Sequence, residues 1–506
     1  DSFIFYYVYT FVIVGLVVWL YMRWLKIKRY WADRGVTHMP PVPILGNFTF
    51  LLRENIGIWL RRIYEQFEYP YIGIWIFWKP ALVINTPDIA RNILVKDFDN
   101  FRNRTLSCGY TDPIGRLTLF TTNDPIWTPV RKQLSTVFSA VKLKSFQGYV
   151  RSKSKELAQR IHNDRNIKIN LKKMFVDYST DIIGTSAFGV KSDATLTKGG
   201  PLRDITNEWS TYSLYRSISW CGIFFIPEMV DFFRFKFFPK SSITYFKKIY
   251  HEAAMQREKN WTKGENRDLL DILIRIQKEN KFYSDDLIVA QAAIMLQGGF
   301  DTSGNLMTYI TYELAHNPDV QEKLYQELTE ATQRHGNADF DADVLAELTY
   351  LNCVIKEGVR KYAPMSWLDR IAEKNYKIDD KLTIEAGTTV YINCAGMHFD
   401  PKYFPDPNKF DPDRFLPENR NMIEPFSYLP FGEGPRFCIG KRFALLSVRM
   451  AMSSIFLNYK MAPYPNSPKP SDVKIDSRTV WYIPGEPLYV HFLRKNYFGI
   501  QENRIF

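Results

Sequence analysis

The sequence predicts a mainly α-helical protein with small β-sheets, preceded by one membrane-spanning helix, and three features support this fold class. Residues 3–22 form a run without formal charge, long enough to cross a bilayer core of ~30 Å as a helix. Segments with helical periodicity occupy 152–161, 285–316 and 319–334. Short runs rich in Ile, Val, Trp and Tyr predict strands at 71–78, 81–85, 382–384 and 388–393. The first two are expected to form a hairpin that turns at Lys79-Pro80.

The N-terminal run predicts a location as well as a helix. It is followed directly by Arg23, Lys26, Lys28 and Arg29, and the positive-inside rule then places the C-terminal body in the cytoplasm. A cleaved signal peptide is the alternative, but a basic n-region and a small-x-small cleavage site are both missing. We therefore predict a single-pass signal-anchor over 1–22, a basic and Pro-rich hinge over 23–46, and one catalytic domain over 47–506.

Charge and cysteine content narrow the class of protein. The chain of 506 residues carries a formal net charge of +12, which favours an acidic protein partner or an anionic membrane surface. Nucleic acid is the competing partner, but no Lys/Arg-rich run or nucleic-acid motif occurs, so we predict no nucleic-acid binding. Five scattered cysteines without metal-type spacing argue against a disulfide framework and favour a reducing compartment.

The segment 431–440, Phe-Gly-Glu-Gly-Pro-Arg-Phe-Cys-Ile-Gly, carries the main chemical signal. A thiolate at Cys438 is able to serve as the axial ligand of a haem iron. Gly434 and Gly440 are expected to let the backbone turn tightly, and amide N–H groups after the cysteine to temper the sulfur. Arg436 offers a fork of donors for a haem propionate, and Phe431 is expected to cover the thiolate. The alternative is a buried structural cysteine in a Gly-rich loop.

The pattern Phe-x-x-Gly-x-Arg-x-Cys-x-Gly resembles the haem-binding loop of the cytochrome P450 family of haem-thiolate monooxygenases. The resemblance covers the chain from about Pro40 to its end. It implies the cytochrome P450 fold, one helix-rich domain that encloses haem b with Cys438 as the axial thiolate. It also implies O2 as the oxidant.

A second motif lies at 298–303, Gly-Gly-Phe-Asp-Thr-Ser, inside a predicted helix. Two adjacent glycines there cost about 1 kcal/mol each relative to Ala, and a helix that opens into a groove for dioxygen is one explanation. The resemblance implies that Asp301 and Thr302 are the acid–alcohol pair that delivers protons to dioxygen. The alternative is a Gly-kinked core helix in which Thr302 bonds to its own turn.

Several charged residues gain a role from the resemblance. Glu357 and Arg360, spaced to share one helix face, join Arg414 in a buried ionic triad that locks the segment before the cysteine loop. Trp127, Arg131 and Arg370 are implied to contact the haem propionates, with a solvated surface arginine as the alternative for Arg370. His398 is expected to be a structural residue near the haem edge.

The substrate pocket is the least specific part of the prediction. Each residue that the resemblance places there is equally compatible with plain core: Phe120, Ile294, Gln297, Phe300, Met365, Ser366, Trp367, Leu368, Val480 and Trp481. Their aromatic character argues for a small lipophilic substrate. The Phe-rich segment 224–238 either enters the membrane or roofs the pocket.

An electron donor has to come from another protein. The chain has no Gly-x-Gly-x-x-Gly fingerprint and no cysteine set for an iron–sulfur cluster. The resemblance implies an NADPH-dependent flavoprotein reductase, with a small haem electron carrier as a further donor, and location in the endoplasmic reticulum membrane. Basic residues are candidates for docking it: Arg131, Lys132, Lys142, Lys144, Lys441 and Arg442.

The predicted function is a membrane-bound monooxygenase that inserts one oxygen atom from O2 into lipophilic substrates. The amino-acid sequence of the cysteine loop is most similar to that of insect members that metabolise xenobiotics such as plant toxins and insecticides. A monooxygenase of an endogenous lipid or hormone is the alternative. A reductase-independent haem-thiolate isomerase and a haem gas sensor are more distant ones, and the Asp301-Thr302 pair argues against the isomerase.

Overall fold

The fold is mainly helical, as the sequence predicts, and three small sheets lie at its edges. A computed structural model describes residues 2–211, 213–259, 268–279 and 283–495. In chain order the helices are α1 (Ser2–Arg29), α2 (Ile56–Gln66), α3 (Pro87–Arg91), α4 (Pro113–Arg116), α5 (Trp127–Leu134), α6 (Ala140–Asp164), α7 (Leu171–Phe188), α8 (Ala194–Thr197), α9 (Pro201–Ser210), α10 (Leu214–Phe225), α11 (Val230–Phe233), α12 (Lys240–Lys259), α13 (Leu269–Glu279), α14 (Asp285–His316), α15 (Pro318–His335), α16 (Ala342–Glu347), α17 (Thr349–Lys361), α18 (Cys394–His398) and α19 (Lys441–Asn458).

The strands form one mixed sheet and two antiparallel ribbons. They are β1 (Tyr71–Ile76), β2 (Lys79–Ile84), β3 (Leu368–Ile371), β4 (Tyr376–Lys377), β5 (Thr383–Ile384), β6 (Thr389–Ile392), β7 (Tyr459–Pro463) and β8 (Val490–Arg494). The larger sheet has the order β1-β2-β6-β3, in which only β2 and β6 run parallel. The ribbons are β4-β5 and β7-β8. The sheet brings the segment after α17 beside the N-terminal hairpin.

The predicted hairpin is present, but its turn lies two residues earlier than expected. Ile76 pairs with Lys79, so Phe77 and Trp78 make the turn and Phe77 takes a positive φ of 54°. Pro80 lies inside β2, opposite Trp75. Proline has no N–H to donate, and it is tolerated here because β2 pairs with β6 only from Ala81 onward.

Helix α1 projects from the body, and its C-terminal end is fastened to the sheet. The stretch Tyr6–Arg34 is the one part of the described chain that is long and apolar enough to cross a membrane, and none of its apolar window is buried. The Trp75 indole N–H donates to the Ile27 carbonyl oxygen (3.1 Å), and the Trp31 indole N–H donates to that of Ile74 (3.0 Å). The chain after α1 therefore leads directly into the fold.

Helix α14 runs through the centre of the body. Ser284 caps it by accepting from the Leu287 N–H, and Asp285 and Asp286 complement the helix dipole in the first turn. The sequence predicts its bounds correctly, but the expected opening at the two glycines is absent, since α14 is α-helical over all of 285–316. A Cβ at Gly299 would lie 2.7 Å from Cγ1 of Ile183, so this glycine lets α14 pack closely against α7.

We predict opposite effects on stability for the two adjacent glycines. A Cβ at Gly298 meets nothing within 4 Å in the described chain, so Gly298→Ala should raise the free energy of unfolding by up to about 1 kcal/mol through helix propensity. Gly299→Ala should lower it, because overpacking against Ile183 costs roughly 1–3 kcal/mol. Urea unfolding followed by circular dichroism measures both. Equal stability of the two variants would contradict the packing role of Gly299.

Candidate functional site

The segment around Cys438 forms a loop that backbone hydrogen bonds close on itself. The Cys438 N–H donates to the Phe431 carbonyl oxygen (2.8 Å), and the Phe437 N–H donates to that of Gly434 (3.0 Å). Gly434 has a φ of 74°, and a Cβ there would collide with the Leu94 carbonyl oxygen, so the position requires glycine. Gly440 lies in the expected turn, in which the Lys441 N–H donates to the Cys438 carbonyl oxygen (3.4 Å), but its φ of −87° is ordinary and its Cβ position is open, so this turn does not require glycine.

Cys438 differs from the other cysteines in its accessibility. It is exposed, whereas Cys108, Cys221, Cys353 and Cys394 are buried. Neighbouring protein atoms still desolvate its sulfur enough to raise the thiol pKa, but the Gly440 N–H bonds to the sulfur and lowers that pKa. The charges of three nearby cations also lower it: Arg131, Lys441 and Arg104. The sulfur is thus open to a ligand, and the Gly440 N–H and the three cations offset part of the desolvation that raises its pKa.

Three arginines beside the loop form a cluster of like charge, which we call the arginine cluster: Arg370 and Arg436, which are buried, and Arg104, which is half-buried. Burial lowers the pKa of Arg370 to about 9 and that of Arg436 to about 8. Repulsion by the neighbouring guanidinium groups is the second contribution to both of these lowered pKa values. The Nε atoms of all three are buried and have no hydrogen-bond acceptor among the described residues. Arg436 donates only long bonds, of 3.4 Å to the Thr122 carbonyl oxygen and 3.3 Å to Asn123 Oδ1.

The arginine cluster fits a ligand that brings carboxylates. Buried guanidinium groups are costly without a paired anion. The nearby carboxylate of Asp369 turns to the backbone, where its Oδ2 accepts from the Thr105 N–H (2.6 Å) and the Leu106 N–H (3.3 Å). The two propionates of the predicted haem would supply the missing anions, and the accessible sulfur of Cys438 would supply the axial ligand. The residues present therefore fit this group.

Trp127 contacts the arginine cluster, whereas Arg131 contacts the cysteine loop. The Arg436 guanidinium lies 4.1 Å from the ring centroid of Trp127. Arg131 donates to the Phe437 carbonyl oxygen (2.9 Å), and its guanidinium lies 5.0 Å from the Phe437 ring centroid. Arg131 thus ties α5 to the cysteine loop through the residue before Cys438. Pro129, although inside α5, lies in its first turn, where no intrahelical N–H is needed.

One face of α14 remains accessible. Ile294, Gly298 and Thr302, one turn apart from each other, keep accessible surface, whereas the flanking Gln297 and Phe300 are buried. The Thr302 hydroxyl donates to the Gly298 carbonyl oxygen (2.6 Å). The sequence allowed this bond as the alternative for Thr302, a hydrogen bond to its own helical turn. In this conformation the hydroxyl proton is therefore engaged within the helix.

Asp301 lies on the buried side of this accessible face. Asn305, one turn later, donates from Nδ2 to the Asp301 Oδ1 (2.9 Å) and to its carbonyl oxygen (2.8 Å). Burial raises the pKa of the Asp301 carboxyl, while Lys172, the Asn305 bond and Arg216 oppose that rise. The carboxyl therefore retains a proton to higher pH than an exposed aspartate does.

The structure brings Glu357, Arg360 and Arg414 together. Arg360 donates in parallel to both Glu357 oxygens, at 2.7 and 2.8 Å, and Arg414 Nε donates to Oε1 of Glu357 at 3.3 Å. The side chains of Glu357 and Arg360 are fully buried. The remaining guanidinium donors bind backbone carbonyl oxygens of His398, Pro407, Pro405 and Asp406. Helix α17 is thereby fastened to the chain that precedes the cysteine loop.

His398 connects this ionic group to the approach of the cysteine loop. Its Nε2 accepts from the Leu429 N–H (2.9 Å), so the proton of the neutral ring lies on Nδ1, which contacts the Arg360 carbonyl oxygen (3.1 Å). The ring is 1% exposed. Burial first, and the charge of Arg360 second, lower the pKa of His398 to about 3. His398 is thus a neutral structural residue.

The predicted pocket residues divide into two groups. Those that keep accessible surface are Phe120, Ile294, Met365, Leu368 and Trp481. Those that are buried, with at most 5% exposure, are Gln297, Phe300, Ser366, Trp367 and Val480. Leu368 borders the cysteine loop, since its Cδ2 lies 3.6 Å from the Cβ position of Gly432. The structure therefore leaves about half of the predicted pocket residues accessible and packs the other half into the interior.

Sequence reasoning missed two residues that belong to the site. Arg104 belongs to the arginine cluster, but its sequence context, Arg-Asn-Arg, carries no motif that would reveal it. Asn305 holds Asp301, and its spacing of four residues on a predicted helix was a usable signal. The contact of Arg104 with Arg370 and Arg436 is long-range along the chain, whereas the contact of Asn305 with Asp301 is local.

Comparison with known proteins finds the same family by a family model and by individual relatives. The family model described as Cytochrome P450 matches residues 37–484. Cytochrome P450 6k1 of Blattella germanica is 31% identical over 503 residues, covering 94% of this chain and 95% of the relative. Cytochrome P450 6l1 of the same species is 31% identical over 463 residues, covering 90% and 92%. Probable cytochrome P450 6g2 of Drosophila melanogaster is 32% identical over 468 residues, covering 87% and 90%.

We predict that Arg370→Met has opposite effects on the protein with and without haem. In the apoprotein it removes a buried charge that neighbouring arginines repel, and the free energy of unfolding should rise by roughly 1–4 kcal/mol in urea. In the loaded protein it removes a propionate partner, and haem should transfer faster to apomyoglobin. Arg334→Met, at the exposed end of α15, is the control and should change neither. Unchanged haem transfer would contradict the assignment.

We also predict how the free energy of unfolding depends on pH below 6.5 through His398. The folded pKa of His398, about 3, lies below the ordinary value of 6.5, so its contribution is full above pH 6.5 and is lost as pH falls below it. His398→Gln should remove up to about 1.4 kcal/mol per pH unit from the slope of unfolding free energy between pH 6.5 and 5. His335→Gln, at an exposed position, is the matched control. A slope that both variants leave unchanged would show that His398 is not neutral in the fold.

Proposed function

We propose a specific activity from one established premise: the chain belongs to the cytochrome P450 family, whose members are haem-thiolate monooxygenases. The family and the fold class that the sequence predicts are thereby confirmed. The finer proposal is a membrane-bound enzyme that inserts one oxygen atom from O2 into small lipophilic molecules, with electrons from NADPH through a reductase. The similarity to insect members favours xenobiotics as substrates.

One observation carries the assignment of the site. Cys438 is the accessible cysteine, and it lies beside the arginine cluster, whose Nε atoms are buried and have no acceptor among the described residues. Cys438 would bind the haem iron, while Arg104, Arg370 and Arg436 would hold the propionates. When bound, the haem supplies the iron centre that activates dioxygen. A thiolate at Cys438 would increase electron donation to that centre, and the Gly440 N–H bonded to the sulfur would temper that donation.

We assign proton delivery to Asp301 and Thr302. The buried carboxyl of Asp301 has a raised pKa, so it holds a proton on its oxygen to higher pH than an exposed aspartate does. Thr302 lies on the accessible face of α14, and its hydroxyl proton becomes available once it leaves the Gly298 carbonyl oxygen. Asn305 keeps Asp301 in place, and we therefore treat it as a positioning residue.

The exposed apolar surface supports attachment to the endoplasmic reticulum membrane. Besides α1, large apolar side chains are exposed at Phe232 (77%) and Leu214 (77%), and others nearby are Tyr215, Ile218 and Phe233. The ion pair Lys79–Glu228 joins this region to the β1–β2 turn, where Trp78 is also exposed. Within 224–238, residues Phe224, Phe225, Phe237 and Phe238 are buried. The segment therefore provides both a roof of buried rings and a lipid-facing edge.

The surface around the cysteine loop fits an acidic electron donor. Phe437, next to Cys438, is 43% exposed, and basic residues surround it. Among the predicted docking residues Lys144 pairs with Asp343 (2.8 Å), whereas Lys132, Lys142, Lys441 and Arg442 have no carboxylate within ion-pair distance in the described chain. Unpaired charges of one sign steer a complementary partner. An NADPH-dependent flavoprotein reductase is the donor that we propose.

Reconstitution tests the proposed function. The full chain, in vesicles with an NADPH-dependent reductase, should oxidise NADPH and form a product that carries one added oxygen atom, identified by mass with labelled O2. A strongly red-shifted Soret band of the ferrous–CO complex should accompany it. Cys438→Ser should lose both the band and the product, because a hydroxyl does not replace the thiolate ligand.

The control for this experiment is Cys353→Ser, a buried cysteine on α17. It should keep the red-shifted band and the product. Turnover of a hydroperoxide to rearranged products without reductase, together with no NADPH-dependent product, would overturn the proposed function. An unchanged band in Cys438→Ser would overturn the ligand assignment.

A further inference from the structure

The chain segment 117–123, which we call the strap, joins α14 to the arginine cluster. At one end Gln291 of α14, which is 1% exposed, donates from Nε2 to the Leu117 carbonyl oxygen (2.6 Å). The Oε1 of the same side chain accepts from the Leu119 N–H (2.9 Å). At the other end the strap meets two members of the arginine cluster. The strap therefore connects the central helix with cations that we assign to the haem propionates.

Asn123, the last residue of the strap, makes three hydrogen bonds to these two members, Arg104 and Arg436. Its Nδ2 donates to the Arg104 carbonyl oxygen (2.9 Å), and its Oδ1 accepts from the Arg104 N–H (2.9 Å). The same Oδ1 accepts from Nη2 of Arg436 (3.3 Å). One half-buried amide side chain thus holds the backbone of Arg104 and one donor of the Arg436 guanidinium.

The strap receives every side-chain hydrogen bond that Arg104 and Arg436 donate within the described chain. Arg104 donates to the Phe120 carbonyl oxygen, and Arg436 donates to the Thr122 carbonyl oxygen, each at 3.4 Å. The third acceptor is Asn123. All three acceptors are neutral, and the bonds are long. The two guanidinium groups are therefore oriented without being neutralised, and their charge stays available to an anionic ligand.

The carboxylate next to Asn123 in the chain, that of Asp124, binds elsewhere. Its Oδ2 accepts from Nε of Arg102 (2.8 Å), and its Oδ1 accepts from the Thr128 N–H (2.9 Å). A carboxylate in place of the Asn123 amide would instead attract both arginines of the cluster. It would then compete with the propionates for them. The neutral amide positions the cations and leaves the place of the anion to the ligand.

We propose that Asn123 is a positioning residue for the haem, which orients Arg104 and Arg436 toward the propionates through a neutral acceptor. This inference rests on the proposed function, because it takes the arginine cluster as the propionate site. Asn123 acts through the two arginines and needs no contact of its own with the haem. Its effect on haem retention therefore requires that the propionates carry charge.

Transfer of haem from the full-length holoenzyme to apomyoglobin tests this, with the protein loaded either with haem b or with its dimethyl ester, whose propionates are uncharged. Asn123→Ala should speed the transfer of haem b roughly tenfold, because hydrogen bonds to charged groups are lost. It should leave the transfer of the ester unchanged. Asn123→Asp should speed the transfer of haem b but slow that of the ester, since its carboxylate competes with charged propionates and substitutes for uncharged ones.

Asn375→Ala is the matched control, because Asn375 is exposed and its Oδ1 also accepts from a distant backbone N–H, that of Ala386 (2.9 Å). It should change neither transfer rate. Equal acceleration of haem b and the ester by Asn123→Ala would show a purely structural role and overturn the proposal, as would unchanged transfer in both Asn123 variants. If Asn123→Ala fails to fold, the opposite signs expected for the isosteric Asn123→Asp still decide the question.

Product formation separates this inference from the proposed function, because haem transfer needs neither NADPH nor reductase. NADPH-dependent product from the unmodified protein, with no effect of the Asn123 variants on transfer, counts against this inference alone. An effect on haem b that the ester lacks, without NADPH-dependent product, counts against the proposed function alone. Equal transfer of haem b and the ester from the unmodified protein would remove the propionate assignment, and this inference with it.

Discussion

Buried positive charge beside a single accessible thiol is the constraint on which the site depends. Arg104, Arg370 and Arg436 come from three distant segments, and the fold holds their guanidinium groups together although they repel each other. Such an arrangement is unfavourable for the chain alone, since desolvated charges of one sign stabilise neither each other nor their surroundings. It becomes favourable when two carboxylates arrive with the ligand. Haem binding would then be coupled to the stability of the fold.

The cysteine loop is held by a scaffold that uses few but well-satisfied polar groups. Glu357 accepts from both Arg360 and Arg414, and the other donors of these arginines bind backbone carbonyl oxygens. His398 extends this network from Arg360 to Leu429, nine residues before Cys438. Removing one partner leaves a buried charge without compensation, so the scaffold tolerates little change. This network fixes the approach to the cysteine loop relative to α17.

Local patterns in the sequence predicted the helices and strands. They also predicted the site residues that lie close to one another along the chain. The bounds of α14 follow from its cap and its apolar periodicity, and the membrane-length helix follows from 3–22. The residues of the cysteine loop were recognisable because their spacing is short. Errors arose where a partner outside the local segment decided the outcome. Pro80 lies inside β2 rather than in the turn, which is tolerated because β2 pairs with β6 only from Ala81 onward, and of the two glycines in α14 only Gly299 lies close to a neighbour, Ile183.

The sequence by itself determined the family, the thiolate ligand candidate and the helical fold class, since these depend on residue types at fixed short spacings. Only the tertiary structure decided which side chains meet. Arg104 joins Arg370 and Arg436 across more than two hundred residues, and no local pattern contains that contact. The same holds for the predicted pocket residues, of which Phe120 and Trp481 keep accessible surface while Phe300 and Trp367 are buried. Burial is set by packing between distant segments, and for that reason it could not be read from the chain alone.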